Sequence, residues 1–208
     1  MYIGRLCLIG VSNTGKLFVG YRLSSRSFPD RIIDIESNRA KVIPKGDSSK
    51  SYPSHLFYNC IKIANLNNRT ILIVGNGPHT DYIEKVITKE GQIMDHASEI
   101  LNVLGHEQDE QRTPRILGIA TEEQLILGLI GENGLDLKTF EPYPGKAFFV
   151  STSQLQEVGE HIIKDFKAEN ALEIIRLLKE MTPFNKFTNY LGAAAAVLFN
   201  GRLDLACD

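Results

Sequence analysis

The sequence predicts an α+β fold in which antiparallel hairpins build the sheets and the helices fall into separate blocks. Three observations carry this expectation. Short β-rich runs recur in pairs around turn-forming residues. The apolar period becomes helical only in the middle of the chain and again near residue 170. Hydrophobic residues make up 43% of the 208 positions, enough for two packed sheets with a helical layer outside each. The strand-helix-strand alternation of a βαβ nucleotide fold is missing, and neither an internal repeat nor a domain linker stands out, so residues 1–208 read as one domain.

Runs 2–9 and 17–23 flank Ser12-Asn13-Thr14-Gly15-Lys16, a cluster that supplies turn conformations and predicts a first hairpin. Runs 31–36 and 39–44 form a second around Ser37-Asn38. Residues 45–54, rich in Lys, Ser, Gly and Pro, read as a loop and a candidate flap. Runs 58–66 and 69–74 make a third hairpin about Asn67-Asn68, with Ile61, Ile63, Ile71 and Ile73 supplying β-branched bulk. Thr80 or Asp81 then caps a helix with Ile83, Val86 and Ile87 on one face, and residues 95–104 form a second with Ile100, Val103 and Leu104 inward. Strands resume at 115–120, 124–130, 135–140 and 146–150. Residues 160–166 fit either period, whereas 168–181 are an amphipathic helix through Leu172, Ile175 and Leu178. Runs 193–199 and 203–207 about Asn200-Gly201 make a closing hairpin.

Charge and cysteine content narrow the function classes. A net charge of -2 without a Lys/Arg block argues against a generic nucleic-acid binder, whose phosphate contacts need a concentrated basic surface. Cys7, Cys60 and Cys207 are odd in number and far apart, which fits a reducing cytoplasm rather than a disulfide framework, and their spacing suggests no zinc site. No cationic leader precedes an apolar stretch, and nowhere do about eighteen apolar residues run together, so neither export nor a membrane is expected.

Residues 24–31, S-S-R-S-F-P-D-R, are the richest in candidate chemistry. Pro29 fixes its own φ and pushes Phe28 toward an extended shape, so Arg26 and Arg31 are held on a stiff turn. A guanidinium fork matches phosphate or carboxylate oxygens, and Ser24, Ser25 and Ser27 can complete an anion cradle; an exposed turn pairing with surface acids is the plainer alternative. Gly75-Asn76-Gly77 before a helix start allows a close backbone approach or an anion at the helix N-terminus, but a tight turn explains it equally well. His79 is either a ligand-facing donor or a first-turn residue. In Tyr58-Asn59-Cys60, strand alternation sends Tyr58 and Cys60 to one face and Asn59 to the other, unless a bulge intervenes. Tyr and Asn can read the edges of a base, and Cys60, with no base near it in sequence, reads as a buried thiol. The run His106-Glu107-Gln108-Asp109-Glu110 could hold a metal or simply face water.

Taken together, the opening M-Y-I-G-R, Gly20-Tyr21-Arg22, the 24–31 stretch, Tyr58-Asn59-Cys60, Asn76-Gly77 with His79-Thr80-Asp81, and Glu107 six residues before Thr113-Pro114-Arg115 resemble the archaeal-type IMP cyclohydrolase family. These strings occur in consistent order over most of the chain. The resemblance implies the four-layered αββα arrangement of N-terminal nucleophile hydrolases. This chain departs from the chemistry of those hydrolases, since Met1 and Tyr2 offer no Cys, Ser or Thr nucleophile at the start. It further implies closure of 5-formamidoimidazole-4-carboxamide ribonucleotide to inosine monophosphate with loss of water. By the same resemblance Glu107 would be the acid/base and Arg31 the electrostatic stabiliser. Arg26, Ser27, Tyr58, Asn59, Cys60, Asn76, Gly77, His79, Thr113 and Arg115 would meet the purine nucleotide, with Arg26, the serines and Arg115 as candidates for its 5′-phosphate. Neither metal nor organic cofactor is called for. Two other readings stay open, an N-terminal nucleophile-type amidohydrolase and a non-catalytic purine-nucleotide-binding regulator, and so does assembly into a homo-oligomer.

Overall fold

Hairpins dominate the computed structural model, which describes residues 1–46, 56–67, 69–87, 92–180 and 182–208. The first pairs β1 (Arg5–Val11) with β2 (Leu17–Ser24), and the second pairs β3 (Arg31–Glu36) with β4 (Arg39–Pro44). A third joins β5 (Tyr58–Leu66) to β6 (Arg69–Gly75). Two helices follow, α1 (His79–Ile87) and α2 (Ile93–Leu104), and then β7 (Arg115–Ala120), β8 (Leu125–Gly131), β9 (Gly134–Phe140), β10 (Lys146–Ser151) and the short β11 (Ile162–Lys164). The chain continues through α3 (Ala171–Glu180), a 3-10 turn at Phe184–Lys186, β12 (Tyr190–Phe199) and β13 (Arg202–Cys207). Every strand pairing is antiparallel. From residue 47 onward, the segment expected to form a loop and flap lies outside the described residues.

Strands β3 to β9 form one seven-stranded sheet in sequence order, while the six-stranded sheet runs β11-β10-β1-β2-β12-β13. The alternation of strand side chains divides the core in three. Cys7, Ile9, Val19 and Tyr21 from one sheet meet Ile61, Val74, Ile116 and Leu127 from the other, so the two sheets pack face to face. Leu6, Leu8, Phe18, Ala193 and Ala195 point the opposite way, onto Ile174, Ile175 and Leu178 of α3. Ile71, Ile73, Leu117 and Ile119 pack against Ile83 and Ile87 of α1 and Ala97 and Leu101 of α2. Small residues on the central strands let α3 lie close: a Cβ added at Gly20 would come within 3.1 Å of both Ile174 and Leu178.

Two helix faces differ from expectation. In α2 the buried residues are Ala97 and Leu101, and Val103 is 79% exposed. In α3 Leu172 is 64% exposed, and Ala171, Ile174, Ile175 and Leu178 carry the contact. The ambiguous 160–166 run contains the edge strand β11, paired only with β10. Between β4 and β5 the register slips, with Ala40 opposite Ile61 but Lys41 opposite Asn59, which leaves Cys60 as the extra residue of a bulge. No helix among the described residues is long and apolar enough to cross a membrane.

Candidate active site

The start of β1, the connection from β2 to β3 and the loop before β7 meet at one end of the sandwich, around a cavity of about 380 Å³. Its wall includes Tyr2, Arg5, Ser25, Ser27, Phe28, Arg31, Glu107 and Thr113.

Arg5 is placed by its neighbours in sequence. Gly4 takes a left-handed φ of 70°, and a Cβ there would lie 2.2 Å from Thr152 Oγ1, so only glycine fits. Thr152 Oγ1 accepts the Arg5 N–H at 3.0 Å, and the Arg5 carbonyl accepts the Thr152 N–H at 2.9 Å. With its backbone clamped, Arg5 turns its side chain toward the sheet-sheet interior, where Nη2 donates to Glu107 Oε2 at 2.9 Å.

Glu107 comes from the loop after α2. That loop closes on itself, because the Glu107 N–H donates to the Thr113 carbonyl at 2.8 Å. Asp109 accepts both the Thr113 N–H at 2.8 Å and the Thr113 hydroxyl at 2.6 Å. The acidic run is therefore a folded loop with one carboxylate turned inward, Glu107 being only 4% exposed. Among the described residues no three His, Cys, Asp or Glu side chains gather as a metal-binding group.

Asn76 holds the other oxygen of Glu107, donating from Nδ2 to Oε1 at 2.8 Å. Its amide cannot be turned the other way, since Oδ1 accepts the Ile116 N–H at 2.7 Å while Nδ2 also donates to the Pro114 carbonyl at 2.9 Å. Arg115 closes the charge cluster. A Cβ at Gly77 would lie 2.6 Å from Arg115 Nη1, so the missing side chain at Gly77 makes room for the guanidinium.

The cluster is dry enough to change its own proton affinities. Burial pushes the Glu107 carboxyl above its ordinary value, and Arg5 and Arg115 draw it back only part of the way. Burial alone would lower Arg5, but the Glu107 carboxylate and its hydrogen bond reverse this and hold Arg5 charged. Behind Arg5 the hydroxyls of Tyr21 and Tyr58 lie 2.6 Å apart. Burial raises Tyr58 to about 12 against the pull of Arg5 and Arg31, so its hydroxyl stays neutral.

The 24–31 turn is stiff, as expected. Ser25 Oγ accepts the Phe28 N–H at 3.1 Å, the Pro29 carbonyl accepts the Arg31 N–H at 2.9 Å, and the Phe28 carbonyl accepts Arg31 Nε at 3.3 Å. Arg31 is thereby buried at the cavity wall, while Arg26 is exposed and lies 4.1 Å over the Tyr2 ring.

Among the residues singled out from sequence, the structure brings Ser27, Arg31, Glu107 and Thr113 to the cavity and sets Asn76, Arg115 and Tyr58 close behind it. Three others serve different surroundings. Asn59 donates to Asp81 Oδ1 at 2.6 Å on the α1 side of its sheet. Cys60 points its thiol at the Ala40 carbonyl, 3.3 Å away, inside the sheet-sheet core, and burial pushes that thiol far up. His79 Nε2 lies 2.9 Å from the Ile116 carbonyl and so carries the ring proton; burial lowers its pKa to about 3, which keeps it neutral. Sequence reasoning missed Arg5, Tyr2 and Tyr21 as site residues. The only signal for Arg5 was its place in the M-Y-I-G-R opening.

Comparison with known proteins finds relatives along nearly the whole chain. The chain is 31% identical over 207 residues to an IMP cyclohydrolase of Methanococcus maripaludis, covering 99% of both chains. It is 31% identical to that of Methanocaldococcus jannaschii, covering 99% of this chain and 98% of the other. It is 33% identical to that of Methanosphaera stadtmanae over 94% of each. The family described as IMP cyclohydrolase-like protein matches residues 2–201, and with the full-length relatives this places the chain in the IMP cyclohydrolase family.

Proposed function

We propose that this protein closes 5-formamidoimidazole-4-carboxamide ribonucleotide to inosine monophosphate with loss of water, the last step in making the purine ring. The observation that carries the reading is a buried carboxylate, Glu107, clasped by Arg5 and Asn76 at the wall of a cavity that Arg31 also lines. The carboxamide nitrogen is a weak nucleophile and the formamide carbon a weak electrophile. Both sit on one ring, so holding the reactive rotamer supplies the proximity, and proton movement and charge stabilisation remain. Glu107 takes a proton from the attacking nitrogen as the C–N bond forms and passes it to the formyl oxygen; it then takes the formamide N–H proton as the ring C=N forms and gives it to the hydroxyl, which leaves as water. Its raised proton affinity suits a group that must both accept and release. Arg31, fixed by Phe28 and Pro29, stabilises the negative charge that develops on the formyl oxygen.

The 5′-phosphate is taken on the side of the 24–31 turn, with Arg26 and Ser27 as its nearest partners. Thr113 and Tyr58 face the base end. Residues 1–208 act as one catalytic unit in the cytoplasm, a location supported by the free state of all three cysteines. The layer order of α3, two sheets, then α1 and α2 supports an N-terminal nucleophile hydrolase-like arrangement. The test is to mix the purified protein with the formylated substrate, with and without excess chelator, and follow ultraviolet absorbance. Product should form at the same rate in both. Tight nucleotide binding without any turnover would sink the proposal in favour of a regulator.

A further inference from the structure

We infer that Arg5 and Asn76 are a positioning pair for Glu107, Arg5 setting its charge state and Asn76 its orientation, so that neither is there to read the nucleotide. The inference rests on the acid/base reading of Glu107. Its basis is that each carboxylate oxygen has a separate keeper: Oε2 takes Arg5 Nη2 at 2.9 Å, and Oε1 takes Asn76 Nδ2 at 2.8 Å. A base that accepts and returns a proton must stay in one rotamer through both transfers, and two fixed donors on opposite oxygens do this.

The two keepers are themselves immobile. Asn76 is anchored through Oδ1 to the Ile116 N–H and through Nδ2 to the Pro114 carbonyl, so both of its donor hydrogens and its acceptor are engaged. An amide with no hydrogen left over reads no base, which moves Asn76 out of the substrate-contacting role expected from sequence. Arg5 is clamped at its backbone by Thr152, and its side chain is 14% exposed with Nε buried and unpartnered. A buried guanidinium that leaves a donor unpaired is a costly way to stabilise a fold. That cost makes sense if the cation is kept for its effect on Glu107.

The charged and titratable groups around Glu107 come from every adjoining element. Arg5 on β1 and Arg115 on β7 favour its ionised form, Asp109 in its own loop opposes it, and Tyr58 on β5, coupled to Tyr21 on β2, stays neutral above them. His106 touches only the Glu107 carbonyl, at 2.8 Å. Arg5 alone among the two cations also donates a hydrogen bond to the carboxylate. It should therefore govern the titration.

The experiment reads Glu107 directly, without substrate. Protein carrying ¹³C-labelled glutamate is titrated by NMR, with the Glu107 side-chain resonance assigned by its disappearance in Glu107→Gln. Arg5→Gln should raise the midpoint by about one to three pH units, since a neighbouring guanidinium lowers a carboxyl by that much. The acid limb of kcat should rise in parallel while KM stays put. Arg5→Lys should return most of the midpoint, because it keeps the charge and loses only the fork. Asn76→Ala should lower kcat at least tenfold with KM and the midpoint nearly unchanged. A midpoint unmoved in folded Arg5→Gln overturns the inference, as does a loss in Asn76→Ala that appears in KM alone. Should Arg5→Gln fail to fold, the equally neutral Arg5→Met decides: a raised midpoint supports the inference, and an unmoved one overturns it. Because the titration needs no turnover, a wild type unable to cyclise its substrate would sink the proposed function and leave this result readable.

Discussion

Arg5 and Arg22 stand on adjacent strands of one sheet, where Arg5 pairs with Leu23 and Arg22 with Leu6. Strand alternation then sends them to opposite faces, Arg5 into the sheet-sheet interior and Arg22 toward α3. Arg22 is 1% exposed and uses all three of its nitrogens, donating to the carbonyls of Leu178 at 2.5 Å, Phe184 at 2.9 Å and Phe187 at 2.7 Å, to Ser24 Oγ at 3.3 Å, and stacking over Tyr190. Arg5 makes one side-chain hydrogen bond, to a carboxylate, and leaves Nε without a partner. A guanidinium whose nitrogens end on backbone carbonyls and a serine hydroxyl is tying off the end of a helix and the turn after it. One that faces a cavity and a carboxylate, with Nε unpaired, is what the positioning role proposed for Arg5 calls for.

The largest expected effect is at the carboxylate that Arg5 serves. Glu107→Gln keeps the size and a hydrogen-bonding group but cannot accept and return a proton. Turnover should fall by roughly 10² to 10⁴, the usual worth of general acid-base catalysis, while product affinity measured by calorimetry and the melting temperature hold. Retained turnover would dissolve the functional half of the comparison.

At Arg22 the expected loss is in stability. Arg22→Met fills similar volume yet strands three carbonyls at the C-terminal end of α3 and the turn after it, at a cost of about 3 to 5 kcal/mol. Urea unfolding should register that loss, while kcat per folded molecule stays within a few-fold of wild type. A stable Arg22→Met with poor kcat would mean that the two arginines do not divide the work as their contacts suggest.

The contrast also explains what could be read from the chain and what could not. Hairpin strands were legible because their turns announce themselves: Ser37 and Asn200 take the positive φ that their turns demand. Helix period was legible and helix phase less so. In α2 the buried Ala97 is too small to mark an apolar face, and Val103 looked inward only because it is valine. The shared face of Tyr58 and Cys60 and the opposite direction of Asn59 followed from alternation, but Ile61 joins that face through the bulge, a long-range register slip with no local mark. Arg5 was invisible for a similar reason. Its partner is 102 residues away, and nothing in the residues near Arg5 marks the pairing.

A smaller effect is expected at Arg31, which stands between the two cases, buried like Arg22 and at the cavity like Arg5. Lysine there keeps the charge but not the planar fork, so Arg31→Lys should lose about 10- to 100-fold, mostly in kcat if the contact tightens in the transition state. An unchanged kcat in steady-state assays would place Arg31 with the structural arginines.

The smallest expected effect tests the sign of the electrostatics. Asp109 raises the proton affinity of Glu107, the reverse of what Arg5 does. Asp109→Asn removes that negative charge, while the remaining carbonyl oxygen can still accept the Thr113 N–H, so the loop that presents Glu107 should keep its shape. Glu107 must be ionised to take the first proton, and activity therefore falls as pH drops through its pKa. Neutralising Asp109 lowers that pKa, so the acid limb of kcat should move to lower pH by less than about one unit, against the upward move expected for Arg5→Gln. The plateau at higher pH should change by no more than a few-fold, since Glu107 is already ionised there. A limb that moves upward in Asp109→Asn would mean that the variant disturbs the loop rather than the field, and a limb that does not move would mean that the titrating group is not Glu107.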